Sequence, residues 1–312
     1  MMADSLVNFV SMYNSIKITD YISDRSTDIY HYTSPGGLAS IMDKGKLRFT
    51  DRLFLNDKSE GTYILQLFRE VLNEQQSTIE KTFYETAKKN LDETLKDFNS
   101  YCMKKKLFIY QCSFSCDSDS LCLWNYYTKG DSIKGYNLHF KAKTLCDGLS
   151  LPSKLENKRT IEPTRGKVVY DKKKQKEIVA QIIQIFYDHY KLNQINTSLL
   201  TMYLIDKLLY IGIFFKNGCF KIENEYRIAL PLYVDDNGNY MVIDDKPSHF
   251  ERNGILIPFI DVEFKEESLE GIGLSPTTDI ELAAKSIQRV GAKYKCLRDN
   301  YNIVTSMIPV RY

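Results

Sequence analysis

The stretch Leu107-Phe-Ile-Tyr-Gln-Cys-Ser-Phe-Ser115 has the clearest strand pattern in this 312-residue sequence, because aromatic and aliphatic residues fill it without proline or glycine. Helical patterns are predicted for the first 22 residues, for 58–106 and 172–215, around Trp124 and at Asp279–Val290. Strands are predicted at Asp28–Thr33, Leu47–Thr50, Tyr136–Phe140, Tyr226–Val234, Tyr240–Ile243, Ile255–Phe259, Gly271–Leu274 and near Asn302–Ile308. This order predicts an α+β protein rather than a regular βαβ repeat.

Two further segments have the pattern of helix ends. Pro35-Gly36-Gly37 opens a short helix, and Gly45 stands where a left-handed residue commonly caps one. Asn56-Asp57-Lys58-Ser59-Glu60 fits the start of another helix, with Asp57 as its cap and Glu60 three residues later. We favour this structural interpretation of the Asn56–Glu60 segment over a functional one.

The composition is that of a globular chain. No repeat or Gly/Ser linker marks a boundary, so we predict a single domain over residues 1–312 with helical insertions at about 58–106 and 172–215. Hydrophobic residues make up 43% and charged residues 26%, which excludes a disordered, collagen-like or coiled-coil protein. The net charge of +2 argues against a dedicated duplex-DNA binder.

Cysteine usage and hydropathy predict a cytoplasmic protein without a membrane partner. The seven cysteines are an odd number and are too dispersed for a disulfide framework. The first residues include Asp4 and lack the basic region of a secretory signal. Asp206 and Lys207 interrupt the apolar run Leu199–Phe215, which falls short of the roughly 20 residues that cross a bilayer. We expect this run to form a buried helix.

The familiar cofactor and metal motifs are missing from the sequence. None of the four histidines pairs with another at helical metal-binding spacing, and the cluster Cys112, Cys116 and Cys122 lacks a second ligand pair. We therefore predict no metal site. The dinucleotide, P-loop and hydrolase glycine motifs are also absent from the sequence.

The segment Phe220-Lys-Ile-Glu-Asn-Glu-Tyr-Arg-Ile-Ala-Leu230 places acidic groups at the beginning of a buried strand. By strand alternation Glu223, Glu225 and Arg227 share a face, and the two carboxylates lie about 7 Å apart. A surface salt-bridge ladder is the structural alternative, and such ladders contribute little. Because apolar residues follow directly, the pair stands where a rigid scaffold often holds catalytic groups.

Two aromatic and polar groups accompany the acidic pair. On the first strand His31 and Thr33 share one face and Tyr30 and Tyr32 the other. Taken alone, His31 is better explained as a hydrogen-bonded structural residue. In Leu123-Trp-Asn-Tyr-Tyr127 an aromatic cluster would ordinarily be core, but at the mouth of a site it would stack a planar ring.

In order, these motifs resemble a bacterial family within the ADP-ribosyltransferase superfamily that is catalogued as a domain of unknown function. The family motifs are H-Y-T, N-D-x-x-E, C-x-S/F-S, W-x-x-Y, a glycine before a strand, E-x-E-x-R and S-x-x-P-x-R. The corresponding residues here run from His31 to Arg311: His31-Tyr32-Thr33, Asn56-Asp57-x-x-Glu60, Cys112-Ser113-Phe114-Ser115, Trp124 with Tyr127, Gly135, Glu223-x-Glu225-x-Arg227 and Ser306-Met-Ile-Pro309-Val-Arg311.

The resemblance implies an ADP-ribosyltransferase-like split mixed β-sheet and NAD as the substrate, without a metal. Cleavage of the nicotinamide glycosidic bond passes through an oxocarbenium-like ribosyl cation, which a carboxylate stabilises. The resemblance assigns this catalytic role to Glu225. Glu223 would orient the acceptor or act as base, and Arg227 would hold the carboxylates or a pyrophosphate oxygen.

The resemblance also assigns residues to NAD binding. His31 would donate a hydrogen bond to the adenosine ribose, with Tyr32 and Thr33 beside it on the same strand. Tyr127 would stack the nicotinamide ring, and Trp124 and Tyr32 are the other candidates for that role.

The implied activity is that of a mono-ADP-ribosyltransferase, acting as a toxin or anti-phage effector with a possible antitoxin partner. The acceptor would be a macromolecule, with single-stranded RNA favoured over protein, because Lys104–Lys106 and Lys172–Lys174 lie near aromatic residues. Taken singly, each lysine run is better explained as a solvated helix end. An NAD glycohydrolase and a non-catalytic nucleotide-binding module on the same fold are the alternatives.

Overall fold

The computed structural model describes residues 2–23, 28–57, 59, 61–127, 134–150, 163–192, 195–237, 247–297 and 302–309. Within these ranges the chain has helices and a mixed sheet, which confirms the predicted α+β class. The predicted strand Tyr240–Ile243 lies outside the described residues, as do Glu60 and Arg311 of the motifs.

The described helices and strands follow the chain in this order. The helices are α1 (Met2–Ser15), α2 (Pro35–Lys44), α3 (Tyr63–Glu74), α4 (Lys81–Lys96), α5 (Phe98–Lys105), α6 (Leu121–Tyr127), α7 (Ala142–Gly148), α8 (Lys172–Leu192), α9 (Thr197–Ile211) and α10 (Ile280–Val290). The strands are β1 (Asp28–Thr33), β2 (Lys46–Asp51), β3 (Leu107–Ser115), β4 (Tyr136–Lys141), β5 (Thr164–Lys167), β6 (Glu225–Tyr233), β7 (Ser248–Arg252), β8 (Ile255–Glu263), β9 (Leu269–Leu274) and β10 (Ile303–Thr305).

The chain divides into two compact units. The first comprises Met1–Asp24, Leu55–Leu107 and Val168–Phe220, and the second comprises Arg25–Phe54, Phe108–Lys167 and Lys221–Tyr312. Both stretches that we predict as helical insertions fall in the first unit together with α1. The second unit contains the sheet. A single domain with insertions stays a prediction.

The helical unit buries one apolar stripe from each of its longer helices. On α3 Leu65, Phe68 and Leu72 are buried. On α8 Ile178, Ile182 and Phe186 are buried in the same way, which is the pattern expected of an amphipathic helix.

The apolar helix α9 lies in this unit. Thr197–Phe214 has the length and composition of a membrane-spanning segment, but 56% of it is buried inside the protein, as in a core helix. Its two charged residues are both paired: Asp206 accepts from Lys105 at 2.6 Å, and Lys207 donates to the carbonyl of Ile16 at 3.2 Å. These contacts explain how an apolar helix accommodates two adjacent charges.

The observed helix ends confirm the predicted cap of α2 and contradict the predicted cap of α3. Ser34 Oγ accepts from the Gly37 amide, and Gly45 adopts a left-handed φ of 65°, so the predicted cap at Gly45 is confirmed. The predicted cap at Asp57 is wrong, because α3 begins only at Tyr63. Asp57 instead accepts from the amide and the hydroxyl of Ser59, at 2.9 and 2.6 Å, in a local turn.

The sheet unit has strand order β10-β9-β4-β1-β3-β2-β8-β7, and β6 pairs with both β3 and β5. β10 and β9 are parallel, whereas β1 is antiparallel to β3 and β4. Alternate residues of β3 and β6, such as Tyr110, Cys112, Tyr226 and Ile228, enter the main hydrophobic core. The intervening polar side chains therefore share the opposite face of the sheet, where the candidate site lies.

Candidate functional site

An open cleft lies where β1, β3, α6 and the beginning of β6 come together. Four separate stretches of the sequence contribute to it. Its lining residues are Tyr30, Tyr32, Ser113, Phe114, Ser115, Leu123, Tyr127, Glu223 and Glu225. The structure thus brings both predicted acidic residues together with two of the predicted aromatic residues.

Glu225 and Arg227 form a buried ion pair on β6. Arg227 Nε donates to Glu225 Oε1 at 2.8 Å, and a terminal nitrogen of the same guanidinium donates to Oε2 at 3.0 Å. Their side chains are 5% and 1% exposed. A bidentate, charge-assisted pair of this kind fixes the orientation of the carboxylate.

Ser113 on β3 joins this pair to the first strand. Its hydroxyl donates to Glu225 Oε1 at 2.6 Å, and its carbonyl lies 3.1 Å from His31 Nδ1. A carbonyl only accepts, so Nδ1 must carry the proton of this hydrogen bond. Ser113 therefore connects two of the predicted site residues that are far apart in the sequence.

His31 is held in a definite protonation state. Burial lowers the pKa of His31, and its bond to Ser113 opposes that shift only in part, so the ring is neutral at pH 7. With the proton on Nδ1, Nε2 is an acceptor. A ribose hydroxyl would then have to donate to His31, the reverse of the predicted direction. His31 does not itself line the cleft, whereas its neighbours Tyr30 and Tyr32 do.

Glu223 lies on a different element from the one that the sequence predicts. It ends a 3₁₀ turn, Gly218–Glu223, and the strand begins only at Glu225. Between them Asn224 has a left-handed φ of 42°. The expectation that Glu223 and Glu225 share a face of one regular strand is therefore wrong, although both residues line the cleft.

Trp124 and Tyr32 form a buried aromatic contact. Their rings pack edge to face at 4.6 Å, and Trp124 is 1% exposed. The Tyr32 hydroxyl donates to the Asp117 carbonyl at 2.8 Å and accepts from the Ser120 amide at 3.0 Å. These two side chains hold the loop between β3 and α6, and Trp124 presents no open ring face to a ligand.

Tyr127 and Thr33 differ in their access to the cleft. Tyr127 lines it with a side chain that is 36% exposed. Partial burial, together with the carboxylates of Glu225 and Glu223, raises the pKa of Tyr127, so its hydroxyl stays protonated. Thr33, in contrast, does not line the cleft. It packs against Gly37, where an added Cβ would lie 2.1 Å from Thr33 Oγ1.

The loop 117–120 carries residues that the sequence analysis missed. One Asp119 oxygen accepts from the Trp124 indole at 2.8 Å and from the Ser306 hydroxyl at 2.6 Å, and the other accepts from the Met307 amide at 2.8 Å. Asp119 thereby ties the C-terminal S-x-x-P motif to the W-x-x-Y motif. The Asp-Ser-Asp-Ser sequence signals a turn, but nothing in it identifies partners 187 residues away.

The lysine runs are partly neutralised within the helical unit. Lys172 lies 3.0 Å from a carboxylate oxygen of Glu70, and Lys105 lies 2.6 Å from Asp206. Lys104, Lys173 and Lys174 are exposed. Within the described ranges, no group of three or more histidine, cysteine or acidic side chains is arranged to hold a metal ion.

One comparison with known proteins gives a partial match. A family described as "Protein of unknown function (DUF2971)" matches residues 123–228, about one third of the chain. This stretch runs from α6 to β6 and includes Trp124, Tyr127 and Glu225. No curated protein and no solved structure matches the chain. Because the matched family has no described function, the match carries no activity to this protein.

Proposed function

We propose that this protein is an NAD-dependent mono-ADP-ribosyltransferase, which releases nicotinamide and transfers ADP-ribose to a macromolecule. The observation that carries the proposal is the double contact of Ser113, 3.1 Å from His31 and 2.6 Å from Glu225. It joins a first-strand histidine to a glutamate at the beginning of a later strand, beside a cleft that Tyr127 also lines. These are the residue types that the resemblance assigns to NAD.

An ADP-ribosyltransferase-like split sheet is part of the proposal. In its support, the antiparallel strands β1 and β3 pair at Tyr30 and Ser115, and both of these residues line the cleft.

Glu225 would stabilise the ribosyl cation that forms as the nicotinamide bond breaks. The charge of a carboxylate opposes the developing positive charge of an oxocarbenium-like transition state. Arg227 and Ser113 hold the carboxylate in place before the reaction, so little reorganisation is needed when the charge develops. Neutral His31 does not line the cleft and would hold Ser113 in place rather than contact the ribose.

Tyr127 would bind the leaving group, nicotinamide, and Glu223 would act on the acceptor. Tyr127 is the partly exposed aromatic side chain of α6 that lines the cleft, so it is our candidate for stacking on nicotinamide. Glu223 lies on the turn before Glu225 and would orient or deprotonate the acceptor.

We propose single-stranded RNA as the acceptor, in preference to a protein side chain. The exposed lysines Lys104, Lys173 and Lys174 would contact its phosphates. We further propose that the protein acts in the cytoplasm as a toxin or anti-phage effector that an antitoxin holds inactive. Growth arrest on expression of the wild type, absent for Glu225→Gln, is the expected outcome.

A non-catalytic nucleotide-binding module is the second candidate. The observation that favours it is the same Glu225–Arg227 pair, since two buried and mutually satisfied charges also make a structural contact. Such a module would bind NAD without consuming it.

The deciding experiment incubates the purified protein with NAD labelled in its adenosine part and with bacterial RNA or protein. We expect nicotinamide release and label on RNA, and we expect Glu225→Gln to lower release by about 10²–10³-fold. Glu263→Gln is the matched control, since that carboxylate is 58% exposed and pairs with Lys46 at the surface.

Each outcome assigns one class. Nicotinamide release without label on any macromolecule would identify a glycohydrolase. NAD binding without release would favour the binding module, and unchanged release by Glu225→Gln would refute the role of Glu225.

A further inference from the structure

Asn224 stands between the two glutamates of the cleft in a backbone conformation that few residues adopt. Among the described residues, the non-glycine positions with positive φ are Lys106, Asn224 and Asn253. Lys106 caps the end of α5, and Asn253 lies with Gly254 in the tight turn between β7 and β8. Asn224, in contrast, joins a 3₁₀ turn to a strand beside the candidate site.

Three hydrogen bonds hold Asn224 in place. Its side-chain amide donates to Asp117 Oδ1 at 2.8 Å, and its carbonyl accepts from the Cys116 amide at 2.8 Å. Its own amide donates to the Lys221 carbonyl at 3.1 Å. Asparagine is suited to this position because it tolerates the left-handed region better than other side chains of its size. The residue is thus attached both to its own turn and to the segment that follows β3.

The two glutamates depend on this anchor to different degrees. The carboxylate of Glu225 is held independently by Arg227 and Ser113. Glu223 lies on the same turn as Asn224, whose amide bonds to the Lys221 carbonyl, although the Glu223 carbonyl also accepts from the hydroxyl of Ser115 at 2.8 Å. A change at Asn224 would therefore displace Glu223 more than Glu225.

We propose that Asn224 is a positioning residue, which sets the place of Glu223 relative to Glu225 and thereby controls delivery of ADP-ribose to the acceptor rather than cleavage of NAD. The catalytic part of this inference rests on the proposed function. The anchoring of the turn to the Cys116–Asp117 segment stands on the hydrogen bonds alone.

The test measures two quantities in the same reaction, nicotinamide released and ADP-ribose transferred per nicotinamide. Asn224→Ala removes the amide and places an alanine at positive φ, whereas Asn224→Asp keeps the shape but sets a carboxylate against Asp117. We expect both variants to lower the transferred fraction about tenfold or more, since small misplacements of a positioned group can cost up to about 10²-fold. Nicotinamide release should fall less than threefold.

Asn253→Ala is the matched control. It introduces the same strain at a φ of 54° in the same unit, but in the β7–β8 turn. It should leave the transferred fraction unchanged. A transferred fraction that stays unchanged in both Asn224 variants would overturn the proposal, as would an equal loss in Asn253→Ala.

Amide hydrogen exchange separates this inference from the proposed function. The Cys116 amide is bonded to the Asn224 carbonyl, so its exchange should become faster in Asn224→Asp than in the wild type. If the wild type releases no nicotinamide, the proposed function fails, while faster exchange still supports the anchoring role. Unchanged exchange at Cys116 would overturn that role whatever the activity.

Discussion

Replacement of Arg227 by methionine tests the energetic role of the buried pair beside the cleft. Arg227 is 1% exposed and donates two hydrogen bonds to Glu225, which is 5% exposed. Methionine fills a similar volume but offers no charge and no donor. The substitution therefore leaves the Glu225 carboxylate buried with one strong partner removed.

The expected cost is large relative to the stability of a protein. Removal of one partner of a buried ion pair typically costs about 3–5 kcal/mol, because the other charge is left uncompensated. Whole proteins are stable by about 5–15 kcal/mol, so Arg227→Met should lose a large share of the free energy of unfolding. The loss should be smaller near pH 5 than near pH 8, since a buried carboxylate without a counter-charge takes up a proton more readily as the pH falls.

The assay is urea unfolding of the wild type, of both single variants and of Glu225→Gln/Arg227→Met. The double variant replaces the remaining charge with a neutral amide and should recover part of the loss. Lys46→Met is the matched control, because the Lys46–Glu263 pair has side chains that are 34% and 58% exposed. Such a surface pair contributes at most about 1 kcal/mol.

Two results would refute this reasoning. If Arg227→Met loses less than about 1 kcal/mol of unfolding free energy, the pair contributes no more than a solvent-exposed ion pair does. An equal loss at both pH values, with no recovery in the double variant, would mean that the guanidinium stabilises the fold through contacts other than Glu225.

Two further predictions concern buried polar groups of the sheet unit. Gln111 is 2% exposed, and neither amide atom has a partner within the described chain, so Gln111→Met should leave the free energy of unfolding unchanged or raise it by about 1 kcal/mol. A fall of more than about 1 kcal/mol in urea unfolding would contradict this. Burial lowers the pKa of His31, so the unfolded chain takes up its proton first, and stability should fall as the pH drops below about 6.5. His31→Gln should reduce this pH dependence, measured by thermal unfolding at pH 5 and 7. Burial also lowers the pKa of His189, which should account for the remaining dependence. An unchanged pH dependence in His31→Gln would exclude His31 as its source.

Local chemistry made much of the fold predictable. The strands Asp28–Thr33 and Leu107–Ser115 and the cap at Gly45 are confirmed, because side-chain pattern and cap residues act over a few neighbouring positions. β5, with sequence Thr-Arg-Gly-Lys, escaped prediction because its pairing with β6 determines it. A strand that depends on its partner has little pattern of its own.

The candidate site was predictable in its residue types but not in its geometry. The Glu-x-Glu-x-Arg spacing indicates an acidic site, yet by itself it predicts a continuous strand. The left-handed φ at Asn224 separates Glu223 from the strand, and a contact with Asp117, 107 positions away, supports that conformation. Ser113 likewise gains its two partners only when β1, β3 and β6 meet. Such long-range contacts cannot be predicted from the periodicity of neighbouring residues.

The buried pair also bears on whether the cleft is catalytic or structural. Well-packed apolar residues often match or exceed the stability of a buried ion pair, so stability alone seldom explains why one is present. If Glu225→Gln/Arg227→Met is as stable as the wild type, the charges are not needed for folding, and their place beside Ser113 and the cleft points to a functional reason. If the double variant stays several kcal/mol less stable, the pair is sufficiently explained as a structural contact, and the catalytic proposal then rests on nicotinamide release alone.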